Sequence, residues 1–535
     1  MARTGRGSTT RWTMARRSVL LAALAWAAFS LPAHAQSGCT DAGGNEVPPV
    51  AHLVSAVGEV SIAGQAPRGE APYRPICAGQ SVVVGPGSRA AVNVIGADTP
   101  LRLDENTVSR FDAPPEPGSG LVDLLRGGLY FLSEVRRTLT VRTPYVNAGV
   151  EGTEVYLRVA DGRTRMIVLE GRVAATPGPA SDLPFAASTV TTGQQLTVAQ
   201  GAPPQVTDLP DDGAAFGALR RVTVGSLSWT LFYPEVLVAG EAASEPTLAE
   251  AARLLAAGQR EQAQTLLDRV PDAGIAGGLA AALRTSIAVT LRDTAAADAQ
   301  AARALALAPE QAAPWLAQSY ARQLALDLDG AVAAAREAAA RMPAQPLPQA
   351  RLAELYLMQG DTRQARQAAE AAARLGATPL TDIALGYTEL ASYRAAPAEA
   401  AFRRALQQES QNPTALLGLG LALVKQGDLA AGTVQLQNAA VADPGSSLLR
   451  SYLGKAFFTG RNDAGAAKQY AIAKALDPAD PTPFLYDAIR LQLANQPVPA
   501  LRELEQSIAR NENRASFRSP LLLQQDRAAR GASLG

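Results

Sequence analysis

The chain of 535 residues is too long for one hydrophobic core, and its length alone points to about three units. Its 49 basic and 49 acidic residues cancel, which leaves no electrostatic footprint for nucleic acid. Of its two histidines, His34 falls in an N-terminal leader, and a mature chain with His52 alone excludes histidine-based triads and multi-histidine metal sites. There is no P-loop signature, no GxGxxG opening a helix and no HExxH, so no cofactor or metal is expected.

Arg11, Arg16 and Arg17 precede the apolar run "SVLLAALAWAAFSL", and Ala33-His34-Ala35 forms a small-x-small cleavage site. That run falls short of the ~20 residues that span a bilayer as a helix. Residues 1–35 therefore read as an export signal, with translation starting at Met1 or Met14. No later segment is long and apolar enough to cross a membrane. The mature chain is expected to begin at Gln36, in the periplasm or outer envelope. Its two cysteines, Cys39 and Cys77, favour a disulfide in an oxidising compartment, the alternative being two buried thiols.

Residues 36–200 read as an antiparallel all-β domain, a sandwich or β-roll. "LVSAVGEVSI", "QSVVVG", "RAAVNVIG", "GGLYFLS", "TLTVRT", "TEVYLRV", "TRMIVLEGRV" and "GQQLTV" are short alternating or β-branched runs between Gly, Pro, Asp and Asn. Asp161-Gly162 marks a hairpin and "GPGSRA" another turn. One stretch, "TPYVNAGVEGTEVYLRV" (143–159), carries Glu151 and Glu154 around a glycine in apolar surroundings, as a general acid and base would be. In a regular strand, positions three apart face opposite sides, but a bulge at Gly152 restores a common face. The residues alone leave both readings open.

Residues 201–245 form a turn-rich linker and an aromatic junction, with Trp229, Phe232 and Tyr233 expected to pack the β domain onto the helical region beyond. From 246 to 510 the chain reads as an all-α tetratricopeptide-repeat superhelix. Pro309 and Pro343, Pro379 and Pro413, and Pro444 and Pro478 recur at the repeat's period of about 34 residues. Small residues at helix crossings, among them Gly420, Gly432 and Gly454, let backbones approach, and proline is expected to end each helix pair. One pair cannot bury its own apolar face, so several must stack. The first helix of each pair lines the concave groove. In the unit at Pro413 the inward positions are Thr414, Leu417, Leu421, Val424 and Lys425, an apolar groove with one charge suited to a partner's helix or extended peptide.

On "GQSVVVGPGSRAAVNV" (79–94), "LLRGGLYFLS" (124–133) and above all 143–159, the β region resembles the FecR-like domain family of bacterial envelope proteins. The motif residues are Thr143, Pro144, Gly152, Thr153 and Glu154, with Val155 where the family usually has an aromatic residue and Tyr156 one position later. The resemblance implies a structural role for this stretch and a chain that is not an enzyme. Export signal, FecR-like domain, junction and repeats together are similar to large envelope proteins in some of which an outer-membrane β-barrel follows. The tail, 511–535, is similar to the segment leading toward that barrel, so the chain is expected to be a shortened relative or a front part. The resulting expectation is an exported scaffold that binds another envelope protein or peptide. The alternatives are the soluble front of an outer-membrane transport or secretion protein, a FecR-type signalling regulator, and a glycan hydrolase using Glu151 and Glu154.

Overall fold

The computed structural model describes residues 38–40, 44–64, 74–97, 99–133, 139–150, 152–183, 185–209 and 230–510. The expected export signal, Glu151, Trp229 and the tail at 511–535 lie outside the described residues.

Sixteen strands among the described residues build two sheets that share one long strand. The first sheet runs in the order β3 (Arg74–Ile76), β1 (Ala51–Val57), β5 (Arg89–Val94), β6 (Thr99–Leu103), β8 (Gly120–Leu132), β11 (Glu154–Ala160), β12 (Arg163–Glu170), β15 (Gln194–Ala199) and β16 (Gln205–Asp208). The second runs β2 (Val60–Ile62), β4 (Gln80–Val84), β7 (Val108–Asp112), β8 again, β9 (Leu139–Arg142), β10 (Val146–Val150), β13 (Arg172–Pro177) and β14 (Ser188–Thr191). All pairings are antiparallel except β8 with β9, which departs from the all-antiparallel expectation.

Strand β8 changes sheet at a corner. Val108 pairs with Arg126 and Ser109 with Leu124, so Leu125 is an extra, exposed residue of a bulge. Gly127 follows at φ +89°, where an added Cβ would lie 2.4 Å from Thr107 Cα, so only glycine fits. Leu129, Phe131, Val155, Leu157, Met166 and Val168 then point into the sandwich core. The Asp161-Gly162 turn joins β11 to β12, with both residues at positive φ as a type I′ turn requires. The run "TRMIVLEGRV" is two strands, not one: it breaks at Gly171 (φ +90°), and β12 and β13 lie in different sheets. Cys39 and Cys77 form a disulfide with their Cα atoms 5.5 Å apart.

Seventeen helices come next among the described residues. After the short α1 (Ala239–Ser244) there are eight pairs: α2 (Pro246–Ala256) with α3 (Arg260–Leu267), α4 (Gly274–Thr290) with α5 (Thr294–Leu307), α6 (Ala312–Leu324) with α7 (Leu328–Arg341), α8 (Pro346–Gln359) with α9 (Thr362–Leu375), α10 (Pro379–Ala391) with α11 (Ala395–Gln408), α12 (Pro413–Lys425) with α13 (Leu429–Ala442), α14 (Ser447–Thr459) with α15 (Asp463–Leu476), and α16 (Thr482–Leu493) with α17 (Pro497–Ala509).

The turn inside a pair has its own recurring chemistry. A left-handed residue ends the first helix at Arg292, Leu326, Gly360, Gly427 and Arg461. The next residue, Asp293, Asp327, Asp361, Asp428 or Asn462, caps the second helix by accepting from a backbone N–H three positions on. The prolines do two jobs. Pro309, Pro343, Pro444 and Pro478 follow second helices, as expected of a residue that cannot continue a helix interior. Pro379 and Pro413 instead start first helices, where the missing N–H is free of cost.

Small residues set the crossings. A Cβ at Gly420 would lie 2.8 Å from Leu436 Cγ and 2.9 Å from the Gly432 carbonyl oxygen, and Gly454 lies against the Tyr470 ring in the same way.

Candidate functional site

Two places in the molecule concentrate polar chemistry inside apolar surroundings. The first is the seam between the β domain and the repeats. Val155 and Leu157 face the sandwich core, whereas Tyr156 faces outward, and so do Tyr130, Leu132, Ile167 and Leu169. These outward residues are buried in one cluster with Leu416, Leu436, Val441, Tyr452 and Leu453 of α12, α13 and α14. This part of the sheet is therefore covered on both faces.

Glu154 sits in this seam with no exposed surface. A register shift between Glu154 and Val155 accompanies its turn toward the seam. Its Oε1 accepts from the Tyr130 hydroxyl at 2.6 Å and from Arg450 Nη2 at 2.7 Å. Arg450, on α14, is itself fully buried and also donates to the Pro444 carbonyl. Burial, reinforced by the Glu154 charge, pushes the Tyr130 phenol well above its ordinary range, so it stays a donor. Around this pair, Arg102 donates to the Ala442 carbonyl at 3.2 Å, at the end of α13 where carbonyls lack helical partners. Lys468 pairs with Glu170 and donates to the Gly152 carbonyl at 3.3 Å. On β5, the strand next to that of Arg102, Arg89 donates to the Ala256 carbonyl of α2 at 2.6 Å. The β domain thus touches both the start of the helical array and its later repeats.

The other motif residues hold turns. Thr143 Oγ1 accepts from Val146 N–H at 2.9 Å and pins the turn containing Pro144. Thr153 is buried, and its carbonyl accepts from Ser133 N–H at 2.9 Å. Gly152 has φ +62°, and an added Cβ would meet nothing within 4 Å. Its role is therefore conformational, not the making of room. Glu151 lies outside the described residues, and the Glu154 carboxylate is closed off from any glycan.

The second place is the groove. Its volume is about 420 Å³, and it is lined by the first helices α4, α6, α8, α10, α12 and α14. Of the five positions expected to face it, Thr414 and Leu417 do. Leu421 packs into the neighbouring apolar clusters, Val424 fills the α12–α13 crossing against Gly432, and Lys425 is exposed at the end of α12. The inward stripe stops short because the later turns of α12 are used for packing against α13.

The groove also holds residues that sequence reasoning missed. Arg351, buried on α8, stacks its guanidinium 3.8 Å from the Tyr320 ring centroid. It donates to Ser319 Oγ at 3.0 Å, Gln323 Oε1 at 2.5 Å and Glu354 Oε2 at 2.6 Å. The Arg351 and Glu354 charges, three positions apart on one face of "PLPQARLAELYLMQ", were the signal that could have found it. Arg292, after α4, meets Asp477, after α15, at 2.5 Å, an ion pair between two residues that both line the groove. The junction enters the groove as well: Ser286 Oγ donates to the Pro234 carbonyl at 2.6 Å and Thr290 Oγ1 to the Phe232 carbonyl at 3.1 Å. Phe232 lines the groove and Tyr233 is buried among the first helix pairs, in a cluster without β-domain residues, so these two aromatic residues pack on the helices and not between them and the β domain as expected.

These features define a β-sandwich fused to a superhelix of tetratricopeptide-like repeats. Within it, residues 80–174 match the model of the family described as FecR protein. Solved structures similar to the chain include the APC/C hetero-tetramer Cut9-Hcn1 (16% identity, TM-score 0.40, covering 58% of this chain and 60% of that one). Another is a Parabacteroides distasonis protein described as an anti-sigma factor (16%, TM-score 0.23, 32% and 73%). A third is a thermophilic TPR protein of Thermus thermophilus (19%, TM-score 0.31, 34% and 99%). No curated protein matches the chain. FecR is a membrane- or envelope-associated family, and no helix among the described residues is long and apolar enough to cross a membrane.

Proposed function

We propose that this is an exported envelope scaffold without catalytic activity, and that it binds a partner protein or peptide in the groove of its repeats. The observation that carries the reading is the groove itself, where consecutive first helices present Leu357, Ile383 and Leu417 beside a few fixed polar groups. The motif carboxylate that an enzyme reading would need is spent on Tyr130 and Arg450. FecR-type signalling and the front end of an outer-membrane protein stay as narrower roles for the same scaffold.

The test is photo-crosslinking of the full chain in a bacterial envelope, with a photoreactive residue at Thr414 in the groove or at Arg403 on a second helix. Adducts from Thr414 and none from Arg403 support the groove. Adducts from Arg403 alone move the working surface to the other side.

A further inference from the structure

The last helix pair carries an apolar face where a repeat that ends an array in water is expected to be polar. Ile489 and Leu493 of α16 and Val498, Leu501 and Ile508 of α17 are all exposed. The repeat register fixes what this face corresponds to. The left-handed residues Arg461 and Asn495 lie one period apart, and so do the N-caps Asn462 and Gln496.

One period earlier, the same face of α14 and α15 is the one that receives α16. The Tyr486 ring lies 6.3 Å from that of Tyr452 and 6.2 Å from that of Tyr470, and Lys455 Nζ stands 4.8 Å from its centroid. Two ion pairs complete the contact, Asp487 with Lys474 at 2.6 Å and Arg490 with Asp463 at 3.0 Å. On α16 and α17 the counterparts of Lys455, Asp463 and Lys474 are Ile489, Pro497 and Ile508, and those of Thr459 and Ala467 are Leu493 and Leu501. The end face thus keeps the register of a stacking face but has exchanged its charges for apolar surface. The exposed Arg502 and Glu505 border it as a polar rim.

We propose that this face docks an amphipathic helix of a partner protein, seated as α16 is seated on α14 and α15. The surface continues the stacking interface of the array, so its shape is that of a seat for a helix. The docked helix carries an apolar stripe at i, i+3 or i+4, and i+7. It has no charge where α16 has Asp487 and Arg490, because Ile508 and Pro497 leave such a charge buried without a partner. Residues 511–535 of the chain do not carry this stripe, since Gln524, Gln525, Asp526 and Arg527 interrupt it after Leu521, Leu522 and Leu523. None of the face residues lines the groove, so the proposal is independent of the groove as a binding surface.

The test uses the full chain and two fluorescent, helix-stabilised peptides with the sequence of residues 481–495, one unaltered and one with Asp487→Leu and Arg490→Leu. The altered peptide should bind about tenfold more tightly than the unaltered one. Leu501→Glu and Leu493→Glu in the full chain should each weaken the altered peptide by about tenfold or more, with circular-dichroism melts matching the parent's. Leu375→Glu, at an exposed position of α9, should leave its binding unchanged. Equal binding of the two peptides, no binding of either, an equal loss with Leu375→Glu, or binding that survives both changes on the end face overturns the proposal. A photoreactive residue at Leu501 separates the other occupants. Adducts that form only when the altered peptide is added support the proposal. Adducts to residues 511–535 of the same chain, or to a second copy of it, overturn it.

Discussion

Inside a repeat and across the seam, buried surfaces are joined by opposite means. At the α12–α13 crossing the contact is local and made by absence: Gly420 and Gly432 lack side chains, so backbone meets backbone and Leu436 closes the gap. At the seam the contact joins residues 296 positions apart and is made by charge, with Glu154 and Arg450 both removed from water. The crossing is sensitive to added volume and tolerant of charge elsewhere on the helix. The seam should tolerate neutral isosteres of both partners and not the loss of one. Such a pair is weak as a source of net stability, because desolvation offsets its attraction, but it is a strong constraint on register.

The sharpest way to break this comparison is Arg450→Met. It leaves a buried carboxylate without its cation, and the loss should be ~3–5 kcal/mol. Denaturation monitored by far-ultraviolet circular dichroism and tyrosine fluorescence should show sheet and helix signals moving together. Adding Glu154→Gln to that variant should recover most of the loss, since no charge then remains to be solvated. A double variant as weak as the single would mean that the seam depends on shape and not on charge.

Gly420→Leu probes the other side of the contrast. Overpacking a crossing of this kind costs typically ~1–3 kcal/mol. The thermal melt should fall, with the damage confined to neighbouring repeats. A melt equal to the parent's would show that α13 moves aside freely.

Gly152→Val should cost less, roughly 1–2 kcal/mol, because it forces a side chain into the left-handed region but meets no neighbour. Gly152→Asn, which tolerates that region better, should recover part of the loss in the same melt. Equal effects of the two would point to a hidden clash.

A further effect is one of pH. Burial pushes the Asp443 carboxyl up to about 6, against the pull of Arg450 and Arg102. Its unfolded value is ~3.9, so the folded state holds this proton more tightly. The stabilisation is fully present below about pH 4 and is lost as the pH rises through about 6. Asp443→Asn keeps the neutral form throughout. Its melting temperature should coincide with the parent's at low pH and exceed it at neutral pH. Parallel curves would remove Asp443 as the cause.

The repeats were the most legible part of the sequence, because their rules are short-range: proline spacing and small residues at crossings can be read within one period. The Asp161-Gly162 hairpin was legible for the same reason. The capping aspartates at 293, 327, 361 and 428 carry an equally regular signal that the proline count overshadowed. The features that stayed hidden depend on distant partners. Strand alternation locates one buried face, but nothing near Tyr156 or Ile167 announces that α13 and α14 cover the second. Glu154 could be placed in a motif but not matched to Arg450. In the groove, Thr414 and Leu417 followed from helical spacing, whereas Leu421 and Val424 did not, since the spacing cannot tell which turns of α12 meet α13.

The seam also has a consequence in time. A chain made from its N-terminus completes the sheet bearing Tyr130, Tyr156, Ile167 and Leu169 long before the helix that covers it exists. Glu154 waits 296 residues for Arg450. At roughly 5–20 residues per second, that wait lasts roughly 15–60 s. Throughout it the nascent protein carries an apolar sheet face and an unmatched carboxylate. The β domain is therefore first in the order of synthesis but cannot be finished first, and its folding is complete only when the later repeats arrive.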